Sequence, residues 1–418
     1  MAYVSAPAEP PFRLSMLIYD RRYRSLTFQV IVFILVMAVA WWLVDNTITN
    51  LSAMGKDFNF GFLFQRAGYD IPQTLIPYTA NDTHFRAAVI GLLNTLLVSI
   101  LGCIAATVLG VAVGVARLSN NWLFARLMTV YVEIFRNMPL LLWILIIYAI
   151  FTEVLPPPNA YRGDDPAASM ILFDSVALTN RYTSIPTLAM TNDPGSLDLG
   201  ARVTINWATI SFIVAILGGL YVRRLIGNWA QSIQNATGSR PTTWWMSLAV
   251  MTIPSIILIF FFGLHLVPPE LKGFNFTGGI NVQNSLVALW LALTLYTGAF
   301  IAEIVRAGIL AVSKGQSEAA FALGMRPKRT MNLVILPQAL RVIVPPLISQ
   351  YLNLMKNSSL AIAVGYMDLR GTLGGTTLNQ TGRELESMVL MMATYLVLSL
   401  IISAGMNIFN SRVKLKER

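Results

Sequence analysis

Eight long apolar runs divide the chain, and polar segments separate them. The runs are almost free of Lys, Arg and Asp, and most reach the ~20 residues that a helix needs to cross a hydrocarbon core. Backbone amides in lipid must be paired within their own segment, so these runs should be helical. They are 26–44, 87–116, 138–155, 207–222, 244–267, 284–302, 342–366 and 387–410. The pattern predicts an all-α integral membrane protein with about eight transmembrane helices.

The first run has features of a cleaved signal peptide, but a retained helix is the better interpretation. Basic residues precede the run, and Ala38-Val39-Ala40 resembles a cleavage box. That box lies inside the run, Trp41-Trp42 follow it, and the run is longer than the usual apolar region of a signal. We therefore expect the first helix to be retained.

Two connecting segments, 46–85 and 156–206, are long and rich in Pro, Gly, Asn, Asp and Thr. This composition is typical of loops. We expect both to lie outside the membrane as irregular segments. A solvated connection is the favoured role for most of their length, and contact with a partner is the alternative.

The distribution of charged residues predicts which side of the membrane each connecting segment faces. Charged residues make up 12% of the chain, about half the share in soluble domains, and the formal net charge is +10. Of the 30 Lys and Arg residues, 20 lie at the two ends of the chain and in the loops after the second, fourth and sixth runs. The positive-inside rule makes these segments, and hence both termini, cytoplasmic. Since the basic residues flank membrane helices, we exclude nucleic acid as a partner.

Catalytic and metal-binding patterns do not occur in the sequence. Cys103 is the only cysteine, and His84 and His265 lie far apart. The patterns Gly-x-x-x-x-Gly-Lys-Ser/Thr, His-Glu-x-x-His and Gly-x-Ser-x-Gly are absent. We therefore expect no enzyme activity, no cofactor and no metal site. If ATP drives this protein, a separate subunit must hydrolyse it.

The loop after the sixth run contains the most informative motif. A strong helix former is followed by a glycine that permits a sharp turn, then by a second short helix and a proline suited to the start of a membrane helix. The residues of this motif are Glu318, Ala319, Ala320, Gly324, Ile335, Leu336 and Pro337. Such a helix–turn–helix can dock in a groove of a soluble partner. The alternative is an ordinary amphipathic loop.

This motif resembles the cytoplasmic signature of ABC importer permeases, in which Glu-Ala-Ala-x-x-x-Gly precedes Ile-x-Leu-Pro or a close variant by ten residues. Other strings are similar to those of the polar amino-acid (histidine-type) branch of that family. They lie at 91–96, 133–140, 297–308, 336–341 and 354–360. The resemblance covers roughly 86–150 and 285–410.

The resemblance implies a MetI-like type I importer core that passes polar or general L-amino acids through the membrane. It implies three protein partners: an ABC ATPase subunit on the 317–337 loop, a second permease subunit in a heterodimer, and a periplasmic amino-acid-binding protein. The remaining partners are the amino-acid substrate and membrane lipid. The expected location is the bacterial inner membrane, crossed several times.

The layout departs from the short members of this branch. Residues 1–85 form a cytoplasmic N-terminus, an extra first helix and an external loop, and 411–418 form a cytoplasmic tail. The transmembrane domain, 86–410, contains an insertion at 156–285 with two helices. This architecture resembles the longer Q-type permease of general L-amino-acid importers.

Lys356 is the only basic residue deep within an apolar run. A charge at that depth is costly, so we expect it to face protein or water. The neighbouring Asn357, Ser358 and Ser359 add polar groups, and we expect these four residues to line the substrate path. The alternative is that Lys356 forms a structural pair with an acid.

Acidic and basic residues spaced three apart occur twice near the membrane surface. Glu133 with Arg136, and Glu303 with Arg306, would share one face of a helix and form orienting ion pairs.

Two further patterns concern helix packing. Gly110-x-x-x-Gly114 would allow another helix to approach closely. Pro345-Pro346 should kink or break the seventh helix and free backbone groups near the path.

The rival hypothesis is a secondary amino-acid transporter driven by an ion gradient. It predicts inverted repeats and buried acids near the centre of the membrane, which the sequence does not show. A membrane-embedded enzyme would need a cluster of catalytic groups, which is also missing. We therefore predict a permease subunit.

Overall fold

The computed structural model describes residues 16–53, 55, 58–163, 166–198, 200 and 204–413. Most of the N-terminal segment and the last five residues of the predicted tail lie outside this set. The α-helices are α1 (Met16–Tyr19), α2 (Arg21–Ala53), α3 (His84–Ala116), α4 (Trp122–Asn137), α5 (Leu140–Ala149), α6 (Trp207–Thr237), α7 (Trp244–Phe262), α8 (Asn284–Leu310), α9 (Lys314–Ala322), α10 (Pro327–Thr330), α11 (Leu336–Asn357), α12 (Leu369–Gly371), α13 (Leu378–Thr381) and α14 (Glu384–Val413).

Short segments of other helix types adjoin these helices. Residues Ile150–Val154, Met331–Ile335 and Thr372–Thr377 are π-helical. Residues Gly61–Phe64, Pro158–Tyr161 and Ser358–Val364 form 3-10 helices.

Helices account for most of the described residues, which confirms the predicted fold class. Seven helical spans in this part of the chain are long and apolar enough to cross a membrane, and α4 with α5 makes an eighth if the two form one span. These two helices are bent by 106°. The bend falls at Met138-Pro139, where Met138 is extended and proline supplies no N–H to continue the helix.

Several run boundaries differ from the ends of the helices; the fourth run ends at 222, for example, but α6 continues to Thr237. Gly263 adopts a left-handed conformation (φ +60°), which ends α7, and the last residues of the 244–267 run form a strand instead of a helical turn. α2 continues to Ala53, through residues that we assigned to an irregular loop. The cleavage-box residues lie in the middle of α2.

By its internal contacts the chain divides into two compact units, Met1–Phe62 and Leu63–Arg418. In the first unit, the apolar part of α2 is exposed along its length. The second unit contains the other membrane helices and the core.

Helix α8 is the centre of the second unit and packs against α3, α4, α5 and α11. Two thirds of the residues in the most apolar part of α8 are buried. The predicted close approach at the glycine pair is confirmed. A Cβ atom on Gly110 would lie 2.6 Å from the Ile301 side chain, and one on Gly114 would lie 2.7 Å from the Ala302 carbonyl oxygen.

The insertion forms a helical hairpin, and short strands lie at the end where α6 begins and α7 ends. α6 packs along α7, and both are mostly exposed. The strands are β1 (Ala177–Leu178), β2 (Tyr182–Ile185), β3 (Thr187–Met190), β4 (Ser196–Asp198), β5 (Thr204–Asn206), β6 (Leu264–Val267), β7 (Glu270–Lys272), β8 (Asn275–Thr277) and β9 (Ile280–Gln283).

These strands pair in an antiparallel manner, in the orders β1-β2-β9, β3-β6, β4-β5 and β7-β8. The 156–206 segment is therefore not irregular. Its strands β2 and β3 pair with β9 and β6, which follow the hairpin in sequence. No local pattern in the sequence reveals such a long-range pairing.

Helix α11 is continuous through Pro345 and Pro346, so the proline pair does not break the seventh membrane helix. The 3-10 segment Ser358–Val364 then continues its path to Gly365, which is left-handed (φ +72°).

Candidate functional site

The segment between α8 and α11 contains the predicted turn. α9 ends at Ala322, and Gly324 is left-handed with φ +73°. The Gly324 N–H donates to the Phe321 carbonyl (2.9 Å), and the Met325 N–H donates to the Ala320 carbonyl (3.1 Å). These two bonds form the Schellman arrangement, which satisfies the last carbonyls of α9 and turns the chain toward α10.

The second short helix joins the membrane helix. α10 continues through the π-helical residues into α11, and Pro337 lies in the first turn of α11, directly after the π-helical segment. The motif residues differ in exposure: Glu318, Ala319, Gly324 and Leu336 are exposed, Ile335 and Pro337 are half-buried, and Ala320 is buried.

Large apolar side chains on this segment are open to solvent. Leu323 is 82% exposed and Leu333 is 68% exposed, and they are accompanied by Phe321 and Met331. Apolar groups of this kind beside polar ones are typical of a protein contact surface. The side-chain amide of Gln338 donates to that of Gln316 (3.2 Å), which connects α9 to the start of α11.

Lys356 lies in the last turn of α11, not midway along a helix. Its side chain is exposed and forms no hydrogen bond or ion pair with any residue that the structure describes. Ser358 is buried and donates to the Met355 carbonyl (2.8 Å), while the Ser359 hydroxyl donates to the Lys356 carbonyl (2.7 Å). Both hydroxyl protons are therefore used within the helix. Of the four predicted path residues, Lys356 and the half-buried Asn357 keep side-chain donors for a ligand.

A buried polar group near the start of α3 was not recognised in the sequence. Asn94 donates to the carbonyls of Gln73 and Met367 (2.9 Å each), and the Tyr366 hydroxyl donates to the Asn94 carbonyl (3.1 Å). A Cβ atom on Gly91 would lie 2.8 Å from the Asp368 carbonyl oxygen, so only glycine fits there. Gly91 and Asn94 belong to a string that we used for the resemblance, but their partners are distant in sequence.

The carboxyl group of Asp368 is fully buried beside this group. Oδ1 accepts from the Gly371 N–H (2.8 Å), and Oδ2 accepts from the Tyr395 hydroxyl (3.3 Å). Burial raises the pKa of the Asp368 carboxyl to about 7. The Thr95 hydroxyl accepts from the Leu369 N–H (3.1 Å), which attaches α12 to α3.

Of the two predicted ion pairs, one is present and one is not. Glu303 pairs with Arg306, with Oε1 2.6 Å from Nη2. Glu133 instead accepts from the Asn137 side chain (3.2 Å), and Arg136 points toward Glu303, with Nη1 4.0 Å from Oε2. Spacing alone predicted the wrong partner because α4 crosses α8 at this point and offers Arg136 a less exposed carboxylate.

Comparison with known proteins gives the family. Residues 209–415 match the family described as the binding-protein-dependent transport system inner membrane component. The glutamate/glutamine/aspartate/asparagine transport system permease protein BztB of Rhodobacter capsulatus is 58% identical over 426 residues, which span 100% of each chain.

Two further relatives match almost the whole chain. The general L-amino acid transport system permease protein AapQ of Rhizobium johnstonii is 42% identical, over 97% of this chain and 96% of its own. The putative amino-acid ABC transporter permease protein YhdX of Escherichia coli is 43% identical, over 94% of this chain and 95% of its own.

The chain therefore belongs to the family of amino-acid ABC transporter permeases, the inner membrane components of binding-protein-dependent transport systems. It is a transport subunit and not an enzyme. An importer of this class also contains an ATPase and a substrate-binding protein. The ion-gradient hypothesis is thereby excluded.

Proposed function

We propose that this chain is a permease subunit of an importer for acidic amino acids and their amides. The proposal rests on the 58% identity to a permease named for glutamate, glutamine, aspartate and asparagine. A broader range of L-amino acids is the second candidate, supported by the 42% identity to a general L-amino-acid permease.

The geometry of the 314–337 segment is the observation that supports coupling to an ATPase. A short helix ends in a left-handed glycine, and the next short helix is continuous with a membrane helix. Movement of a partner bound to α9 would therefore be transmitted through the turn and α10 to α11. In this proposal the ATPase docks on Glu318, Ala319, Ala320, Gly324, Ile335, Leu336 and Pro337.

This assignment orients the protein in the bacterial inner membrane. If residues 314–337, the docking segment, are cytoplasmic and the α4–α5 pair crosses the membrane once, eight crossings place both termini on the cytoplasmic side. The distribution of Lys and Arg supports the same orientation. The strands of the insertion, at the opposite end of α8, then face the periplasm. A second, different permease subunit completes the path.

Lys356 binds the carboxylate of the substrate in the transport path, and Asn357 lies beside it. Ser358 and Ser359 line the same path and stabilise the end of α11 through their hydrogen bonds. An amino acid brings a carboxylate into a space of low dielectric, where it needs a cation or several donors. The ammonium group of Lys356 is exposed and has no acid partner among the described residues. An exposed cation at the end of a membrane helix can pair with the substrate.

Replacement of Lys356 by Met tests this assignment in the purified complex of permeases, ATPase and binding protein. We expect normal assembly and ATPase activity that the binding protein still stimulates, with uptake of glutamate reduced at least tenfold. Lys272→Met is the matched control because Lys272 lies in β7, 71% exposed, and pairs with Glu270. Its uptake should match that of the unmodified complex. Unchanged uptake in Lys356→Met would contradict the assignment, and failed assembly would show a structural role.

A further inference from the structure

Four charged side chains from three parts of the chain meet at one end of α3. Arg117 follows α3, Arg136 is near the end of α4, and Glu303 and Arg306 are on α8. Glu303 Oε2 is 2.5 Å from Arg117 Nη1 and 3.3 Å from Arg306 Nε, and Oε1 is 2.6 Å from Arg306 Nη2. The carboxylate is thus occupied by two guanidinium groups.

The third guanidinium, on Arg136, is left without a hydrogen bond among the described residues. The Arg136 Nη1 atom is 4.0 Å from Glu303 Oε2, and the guanidinium carbon Cζ lies 5.3 Å from the centre of the Phe300 ring. Its Nε atom is buried and has no acceptor in the described part of the chain. Three guanidinium groups and one carboxylate leave a net charge of +2 in a partly buried place. A partly desolvated cation is stabilised by an anion, and the fork of Arg suits an oxyanion.

The distribution of apolar and polar residues around α4 indicates which molecule supplies the oxyanion. One face packs toward α8 through Val132 and Arg136. The opposite face is apolar and exposed at helical spacing, through Leu123, Leu127, Val130 and Ile134. The edge between them carries Arg126, Glu133 and Asn137. A helix with these faces, bent by 106° from the apolar α5, is suited to lie along the membrane surface. Phospholipid phosphates lie at that depth.

We propose that the exposed part of the Arg136 guanidinium binds the phosphate of an anionic phospholipid, with Arg117 and Arg306 supplying additional positive charge. The shared chemistry is an oxyanion, and the substrate carboxylate is the other possible source. The apolar face of α4 favours lipid because it would hold this helix at the membrane surface, where the headgroup phosphates lie. The orientation given under the proposed function would put this lipid in the cytoplasmic leaflet. No other part of the inference rests on that function.

Native mass spectrometry of the whole purified complex tests the proposal without any transport measurement. The probes are phosphatidylglycerol and phosphatidylcholine added in equal amounts. We expect the complex to retain phosphatidylglycerol in at least fivefold preference, and Arg136→Gln to lose most of that preference. Arg126→Gln is the matched control, because Arg126 lies on the same helix and outside the cluster. It should retain the preference.

Three results would overturn the proposal: no preference in the unmodified complex, an equal preference in Arg136→Gln, or displacement of the lipid by millimolar glutamate. The last would assign the site to the substrate carboxylate. If Arg136→Gln does not assemble, Arg136→Lys replaces it, since Lys keeps the charge and lacks the fork. A preference reduced at least twofold is then expected, and an unchanged one would contradict the proposal. Failure of amino-acid uptake would affect the proposed function and not this result.

Discussion

Gly324 sets the turn between α9 and α10, which precede the membrane helix α11. A Cβ atom added there would meet nothing within 4 Å, so steric contact is not the reason for glycine at this position. The backbone is the reason, because φ is +73° and side chains with a Cβ rarely adopt that conformation. The turn between α9 and α10 therefore depends on a dihedral angle and not on packing.

Replacement of Gly324 by Val should weaken the docking segment while the membrane helices still fold. A β-branched residue in the left-handed region costs about 1–3 kcal/mol, which would displace α9 from its position. We expect co-purification of the ATPase to fall at least threefold. Gly324→Asn is the control, since Asn tolerates this conformation, and it should retain most of the ATPase. Normal recovery of ATPase with the Val variant would count against the docking role.

At the scale of elements, helix α8 connects the strands of the insertion to the docking segment. Its first residue follows β9 directly, and its last residue is four positions before α9. At its first residue, the Asn284 side-chain amide donates to the Thr179 carbonyl (2.7 Å), and the Thr183 hydroxyl donates to the Asn284 side chain (3.2 Å). A displacement of the strands would therefore also displace the first turn of α8.

The packing of α8 depends on the glycines of α3. Gly110→Ala should destabilise the complex by about 1–3 kcal/mol, because the new Cβ would overlap the Ile301 side chain and lie 2.9 Å from the Gly298 carbonyl oxygen. Gly218→Ala in α6 is the matched control, since its Cβ would meet nothing within 4 Å. Thermal unfolding followed by size-exclusion chromatography should show a lower midpoint for the first variant and not for the second. Equal midpoints would mean that α3 and α8 do not pack as described.

At the scale of the whole molecule, apolar runs predicted the membrane helices because lipid requires about 20 apolar residues whatever the tertiary contacts. The turn at Gly324 and the close approach at Gly110 were also predictable, since glycine has few other reasons to occur there. The strand pairing of the insertion, the cluster around Asp368 and the partner of Arg136 were not. Each depends on groups that are far apart in sequence, and local spacing carries no information about them.

The orientation of the chain can be tested by cysteine labelling in intact cells. In a Cys103→Ala background, a cysteine at Ser313 should resist an impermeant maleimide, and a cysteine at Asn159 should react. Both native side chains are exposed, so the side of the membrane and not burial decides the outcome. Reaction at Ser313 together with protection at Asn159 would reverse the proposed topology.

Transport by the purified system in proteoliposomes tests whether this chain belongs to an importer that ATP and a binding protein drive. The complex is reconstituted with ATP inside the vesicles, and the binding protein and radiolabelled glutamate are added outside. We expect accumulation that requires both ATP and the binding protein, and unlabelled glutamine, aspartate and asparagine should reduce it. Accumulation that needs neither of them and instead follows an imposed sodium or proton gradient would contradict it.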